Sequence, residues 1–315
     1  MSRIPLLFNP NARSQRGRRA LKFIMKHASR FTLYATKDAQ DATELAKELA
    51  HKKEPIVLAA GGDGTLNAVV NGLAGSQTAL GILPTGTMNV FARELGIPVP
   101  TLQTSNLDKA LEVIDQEHLI EVDLFYANNQ PFIQMAGVGF DAQVIEETTW
   151  EAKKRLGPMA YLASAVKILG DNPPKMQITT QEGLTQEGIA ILAGNGSLYG
   201  GQVKLFNNAN NNDQLLDILI FKESGYKLIL DSFRGVATGD IEFNQSSVTY
   251  LQSTNFKVHC NQEVPIQVDG EWSGRSKTVI FGSGNHKLKV LAPHKPSTHF
   301  GQTLIEWMQS ILPKN

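Results

Sequence analysis

The chain has 315 residues, more than one small core accommodates, so two domains are expected. Basic and acidic residues both number 30, which leaves no net field for nucleic acid, and 42% apolar content excludes a disordered chain. The single cysteine, Cys260, excludes an internal disulfide and a thiolate metal cage and suits a reducing cytoplasm; neither a signal peptide nor a transmembrane run of roughly 18 apolar residues is found.

In chain order, strand and helix signals alternate through the first third. "IPLLF" (4–8) reads as a strand stopped by Asn9-Pro10, and a basic segment follows with Ala20, Leu21, Phe23 and Ile24 as a candidate buried helix face. "FTLYAT" (31–36) reads as a second strand; Ala42, Leu45, Ala46, Leu49 and Ala50 then recur at helical spacing. "IVLAA" (56–60) is a third strand, followed by a glycine turn and a helix through Leu66, Val69, Val70 and Leu73. "ALGIL" (79–83) is a fourth strand, and Pro84-Thr85-Gly86-Thr87 leads into a helix ending near Gly96 and Pro98. Asn106 is placed to cap one more helix carrying Leu107, Ala110, Leu111 and Ile114. Strands separated by helices of this length predict a parallel sheet covered on both faces.

From about residue 120 the texture changes. "LIEVDLFYA" and "PFIQMAGVGF" flank Asn128-Asn129 as a hairpin, and Pro158 opens a helix with Leu162, Val166 and Leu169. Short strand-like runs then dominate, among them "GIAILAG", "LLDILIF", "NFKVHC", "VPIQV" and "TVIFG". The expected fold is α/β plus all-β: residues 1–122 as an α/β nucleotide-binding domain with 290–315 packing back on it, and 123–289 as a β-rich sandwich-like domain for the substrate.

"AAGGDGTLNAV" (59–69) lies between a strand and a helix. Gly61, Gly62 and Gly64 are expected to adopt backbone angles closed to other residues and to let amides approach a ligand, with the next helix aiming its positive end at the same point. Phosphate is the natural guest. Asp63 would repel bare phosphate, which argues for Mg2+ beside it, and Thr65 and Asn67 offer hydrogen bonds to the same oxygens. The plainer reading is a tight turn with Asp63 as a cap. "LPTGTMNVFAREL" repeats the strand, glycine turn and helix, and both loops would leave a parallel sheet at strand carboxyl ends, where ligands bind. "FNPNARSQRG" after the first strand adds Asn9, Ser14 and Arg16.

"GGDGTLN", "GILPTGTMNVFARELGIP", "AGVGFDA", "GNGSLYGG" and "VDGE" occur in the order seen in the diacylglycerol kinase catalytic-domain family, which the chain resembles from Asn9 to about Pro293. "GGDGT" alone is shared with NAD kinases and phosphofructokinase-like folds. The resemblance implies an NAD-kinase-like α/β domain followed by a β-rich domain, with the active site in the cleft between them. It implies that Gly61, Gly62, Asp63, Gly64, Thr65, Leu66 and Asn67 hold ATP phosphates, with Asp63 near Mg2+. Asn9, Thr36, Gly86, Thr87 and Asn89 would be further nucleotide contacts. Glu271 matches the family's proton acceptor, Asp269 its companion acid, and Asp213 a ligand of a structural metal completed by the carbonyls of Asn210 and Leu215. Val90 stands where many relatives have an acid, and Gln214 replaces the usual glycine after the acid of the second metal loop.

The expected reaction is transfer of the γ-phosphoryl group of ATP to a lipid hydroxyl, on a diacylglycerol-like, phosphatidylglycerol or sphingoid substrate, with Glu271 as general base. The alternatives are an NAD-kinase-like phosphotransferase for a soluble nucleotide and a non-catalytic nucleotide- or lipid-binding regulator. No Gly-Lys dipeptide exists for a Walker loop, and "GVGFDA" is a weak dinucleotide pattern in β-rich surroundings. The expected location is cytoplasmic, peripheral at the membrane surface where the lipid resides; the apolar face of 303–312 lies on membrane or docks on the protein. The oligomeric state is not encoded in any motif, and a homodimer stays open.

Overall fold

The computed structural model describes residues 3–10, 15–101, 103–139, 142, 173–201, 203–222 and 247–294. The helix expected after Pro158 and the segment 303–312 lie outside the described residues. The described chain forms two compact units, one within 1–133, 211–213 and 283–296, the other within 134–210 and 214–282.

In the first unit, β1 (Ile4–Phe8), α1 (Gln15–Lys26), β2 (Phe31–Ala35), α2 (Ala39–His51), β3 (Ile56–Gly61), α3 (Asp63–Leu73) and β4 (Ala79–Pro84) alternate as the hydrophobic spacing predicts. After them come α4 (Val90–Glu94), α5 (Leu107–Asp115) and β5 (Leu119–Val122). With β18 (Leu288–Leu291) the sheet runs β2-β1-β3-β4-β18-β5, parallel except for β5 against β18. Central strands β3 and β4 are buried runs, as a sheet covered on both faces requires. From β1 the chain goes to one side for β2 and to the other for β3, which opens a crevice at their carboxyl ends.

Asp38 caps α2 by accepting the Asp41 amide at 2.9 Å, while Ala42, Ala46 and Leu49 form the buried stripe. α2 lies close on α3: a Cβ on Gly72 would stand 2.4 Å from the Thr43 carbonyl. On α1, Ala20, Phe23 and Ile24 are buried as expected, but Leu21 is 39% exposed, because the buried stripe is narrower than the apolar sequence. Asn106 precedes α5 without capping it; its side-chain amide donates instead to the Val99 carbonyl at 2.7 Å.

The expected hairpin of residues 119–140 is split. Leu119–Val122 joins the parallel sheet beside β18, and only β6 (Phe125–Ala127) and β7 (Gln130–Phe132) pair across Asn128-Asn129. The break falls at Asp123, whose buried carboxylate receives the Lys287 ammonium at 2.9 Å and whose amide donates to the Asn211 carbonyl at 2.7 Å. Lys287 also donates to the Asn212 carbonyl, so one ammonium ties the 211–213 turn to this strand end.

The second unit is antiparallel: β8 (Met135–Val138), β9 (Met176–Thr180), β10 (Thr185–Gly188), β11 (Ala190–Gly194), β12 (Leu198–Tyr199), β13 (Val203–Lys204), β14 (Leu216–Phe221), β15 (Val248–Ser253), β16 (Phe256–Val268) and β17 (Glu271–Ser283). Within it the path is β15-β14-β11-β8-β16-β17, with β9 paired to β16 and β10 to β9. "NFKVHC" and "VPIQV", expected as two strands, are one strand of 13 residues with register shifts between His259 and Val264. Its first half pairs with β9 and its last residues with β8. Phe256 and Phe281 stack at 4.4 Å across β16 and β17 in the core.

Lys287→Met leaves the buried Asp123 carboxylate without its counter-charge and is expected to lower unfolding free energy by about 3 kcal/mol. Urea denaturation checks this, and the double change with Asp123→Asn should fall short of the sum of the two single losses.

Candidate active site

The two glycine loops follow neighbouring strands, β3 and β4, paired so that Gly61 lies opposite Pro84. The Thr85 amide donates to the Gly61 carbonyl at 2.8 Å, extending the ladder by one bond. None of Gly61, Gly62 and Gly64 has positive φ, so the expectation of left-handed glycines is corrected. The requirement is space. A Cβ on Gly86 would lie 2.5 Å from the Gly62 Cα, and one on Gly61 would lie 2.3 Å from the Thr65 Cβ. The loops touch backbone to backbone.

Asp63, in the first turn of α3, ties them electrostatically. Its two carboxylate oxygens accept the Asn89 amide at 2.9 Å and the Val90 amide at 2.7 Å. It therefore caps α4, the helix of the other loop, rather than its own. Burial pushes the Asp63 carboxyl above the ordinary carboxylate range; the Val90, Asn89 and Asp63 amides and the Arg93 charge pull the other way. Asn89, the one left-handed residue of the second loop, accepts the Gly86 amide at 3.0 Å and donates to its carbonyl at 2.9 Å. Its side chain shapes the loop.

A cleft of about 180 Å³ opens at the carboxyl ends of β1, β3 and β4, bounded by Asn9, Gly62, Thr65, Thr85, Gly86 and the α1 residue Leu21. Of the sequence-derived nucleotide contacts, Asn9, Gly61, Gly62, Thr65 and Gly86 line it; Thr36, Asp63, Gly64, Leu66, Asn67, Thr87 and Asn89 do not. Leu66 and Thr36 are buried, and the Thr36 amide donates to the Phe8 carbonyl at 2.9 Å. Asn67 is buried as well; its carbonyl oxygens accept the Asn71 side-chain amide, while its own Nδ2 has no hydrogen-bond partner among the described residues. Thr87 is exposed. Thr85 is a cleft residue that sequence reasoning missed, although a hydroxyl directly before Gly86 in the same turn was a usable signal.

In the second unit Asp269-Gly270 is a two-residue turn with φ of 47° and 82°, the hand of a type I′ hairpin, joining β16 to β17. Val268 and Glu271 face each other across it. Asp269 and Glu271 therefore do not share the side of an extended strand. Asp269 Oδ1 accepts the amides of Gln134 at 2.9 Å and Met135 at 3.0 Å, whereas Glu271 is exposed beside Trp272. Of the second metal loop, Asn210 and Leu215 belong to the second unit and the exposed Asp213 to the first. Gln214 has φ 64°, so it adopts the left-handed conformation that glycine would take, at a cost of about 1 kcal/mol. Among the described residues no cluster of three His, Cys, Asp or Glu side chains is poised for a metal, and no helix is long and apolar enough to cross a membrane.

A parallel sheet with glycine loops at its switch point, followed by an antiparallel β-rich unit, defines the architecture shared by diacylglycerol kinases and NAD kinases. Residues 3–127 match the family described as the diacylglycerol kinase catalytic domain, and 134–290 match the YegS C-terminal NAD kinase beta sandwich-like domain. The diacylglycerol kinase of Bacillus subtilis (strain 168) is 30% identical over 285 residues, 87% of this chain and 91% of the relative. That of Staphylococcus aureus (strain MRSA252) is 30% identical over 309 residues, 93% of both chains. A diacylglycerol kinase structure from Bacillus anthracis str. Sterne superposes with TM-score 0.71 at 22% identity, covering 94% of this chain and 98% of that one. An NAD kinase from Archaeoglobus fulgidus, solved in complex with ATP, shares the fold at TM-score 0.52 and 8% identity over 98% of this chain and all of its own. The chain belongs to the diacylglycerol kinase family.

Two outcomes follow from the loop geometry. Gly86→Ala forces two backbones apart and is expected to destabilise the protein by about 1–3 kcal/mol, read by thermal unfolding. For Asp63 the raised carboxyl sets the sign: its stabilising contribution is present below the unfolded value of about 3.9 and is lost as pH rises through the folded value. The margin of the wild type over Asp63→Asn in thermal unfolding should therefore shrink as pH rises; a growing margin means that the amide bonds outweigh burial.

Proposed function

We propose that this protein is an ATP-dependent lipid kinase. The observation that carries the reading is the pair of glycine loops locked by Asp63 above the α3 N-terminus. The first turn of a helix leaves amides without intrahelical partners, and its positive end favours phosphate. The cleft is smaller than the roughly 300–1,000 Å³ that encloses a drug-sized ligand, which suits phosphates rather than a whole nucleotide. The NAD kinase relative solved with ATP supports ATP as the donor.

Phosphoryl transfer asks the protein for alignment and charge stabilisation. Gly62, Thr65 and Gly86 form the phosphate cradle, with Asn9 and Thr85 at its wall. A lipid hydroxyl forms the new bond to the γ-phosphorus, the bond to the bridging oxygen breaks, ADP leaves, and Glu271 accepts the hydroxyl proton. Mg2+ bound to phosphates asks for only one or two protein carboxylates. Asp63 fits that demand in part: each oxygen already accepts one amide and keeps lone-pair capacity for a water or metal. When bound, Mg2+ would neutralise charge building on the β- and γ-phosphates. Asp213 and the carbonyls of Asn210 and Leu215 are the proposed ligands of a second metal, by resemblance to the family. The diacylglycerol kinases among the relatives make a diacylglycerol-like lipid the first substrate to test, and a lipid substrate implies peripheral contact with the bilayer from the cytoplasmic side.

Purified protein with labelled ATP, Mg2+ and vesicles of diacylglycerol, phosphatidylglycerol or sphingosine should label a lipid, and Glu271→Gln should slow transfer about 10²–10⁴-fold. Label on NAD instead of lipid would transfer the assignment to the soluble-nucleotide reaction, and nucleotide binding without turnover would leave a regulator.

A further inference from the structure

Glu271 is exposed at the first position of β17, so its backbone is placed by the turn before it rather than by packing around its side chain. That turn is held by a residue no motif singles out. Gln134 is 4% exposed and sits immediately before β8. Its amide donates to Asp269 Oδ1 at 2.9 Å, and the Asp269 amide returns a bond to the neighbouring Met135 carbonyl at 2.8 Å. Its carbonyl accepts the amides of Asn195 at 2.9 Å and Gly196 at 3.2 Å. Its side-chain Nε2 donates to the Leu198 carbonyl at 3.0 Å. Gly196 closes the contact: a Cβ there would lie 2.4 Å from Gln134 Nε2 and 2.7 Å from Oε1, so only a glycine backbone lets the side-chain amide lie against it.

We propose that Gln134 is a positioning residue, a buried junction that fixes the Asp269–Gly270 turn, and with it Glu271, against the Asn195–Leu198 loop. The proposal rests on Glu271 as proton acceptor and gives Asp269 a mechanical role: its carboxylate accepts two amides of the β8 entry. The Asp269 carboxylate ties the turn to the β8 entry; the Gln134 carbonyl ties that entry to the loop, and the Gln134 side chain adds a second link to the loop at Leu198. A base displaced by about 1 Å loses up to 10²-fold in rate, so slackening this junction acts on turnover. The glycine loops belong to the other unit.

The test is Gln134→Met, which keeps length and removes the donor, in the full chain. Hydrogen exchange read by mass spectrometry should accelerate together in peptides covering 194–199 and 268–272, while kcat for lipid phosphorylation falls by about tenfold or more with KM for ATP unchanged. Asp269→Asn, which keeps an acceptor for the two amides, should retain more kcat than Asp269→Ala. Exchange that accelerates in only one peptide or in neither, an unchanged kcat, or Asp269→Asn as impaired as Asp269→Ala overturns the junction. If Gln134→Met does not fold, Gly196→Ala disturbs the same contact from the loop side and the same readouts decide. If the wild type phosphorylates no lipid, the kinase reading fails by itself, and the paired exchange response still decides whether Gln134 couples turn and loop.

Discussion

One buried carboxylate organises the strand carboxyl ends of the α/β unit. Asp63 lies on the loop after β3, yet both of its oxygens hold amides of the loop after β4. The bond converts two adjacent turns into one rigid body, and the Gly62–Gly86 contact leaves no gap between them. Burial raises the Asp63 carboxyl, and the amides that oppose burial also set the loop geometry. A site assembled in this way needs little reorganisation when ligand arrives.

The β-rich unit reaches rigidity differently. Around the Asp269–Gly270 turn the partners are mostly backbone groups: the amides of Gln134 and Met135 on Asp269, and the Gly270 amide on the Gln267 side chain at 2.9 Å. Gln267, Asn195 and Asp217 are among the most buried polar residues of the chain. Asp217 receives the Tyr250 hydroxyl and, at 3.3 Å, the Gln252 amide across β14 and β15. Pairing such as that of Asp217 offsets the cost of burial and favours one arrangement of the strands.

The alternating half of the chain was readable because its periodicity reports burial directly: β1 to β4 and the stripe of α2 stand where spacing put them. Failures came where a distant partner decides. Leu119–Val122 is drawn into the parallel sheet by Leu288–Leu291, a pairing no local pattern reveals. β16 is continuous because β9 and β8 each pair with part of it. In the site, the glycine loops were legible as strand-to-helix turns, but the reason for the glycines was not, since close approach between two loops leaves no trace in either one. Gln134 was invisible for the same reason: its carbonyl and amide do much of the work, and those groups are common to every residue.

β18 has a consequence for how the molecule comes into being. This strand, near the end of the described chain, lies between β4 and β5. During synthesis β4 and β5 are made early and wait, each with an unpaired edge, until residues 288–291 leave the ribosome. The parallel sheet is therefore completed only after the strands through β17 have been made, and in its nascent form a chaperone, or a stray strand from another chain, has something to hold.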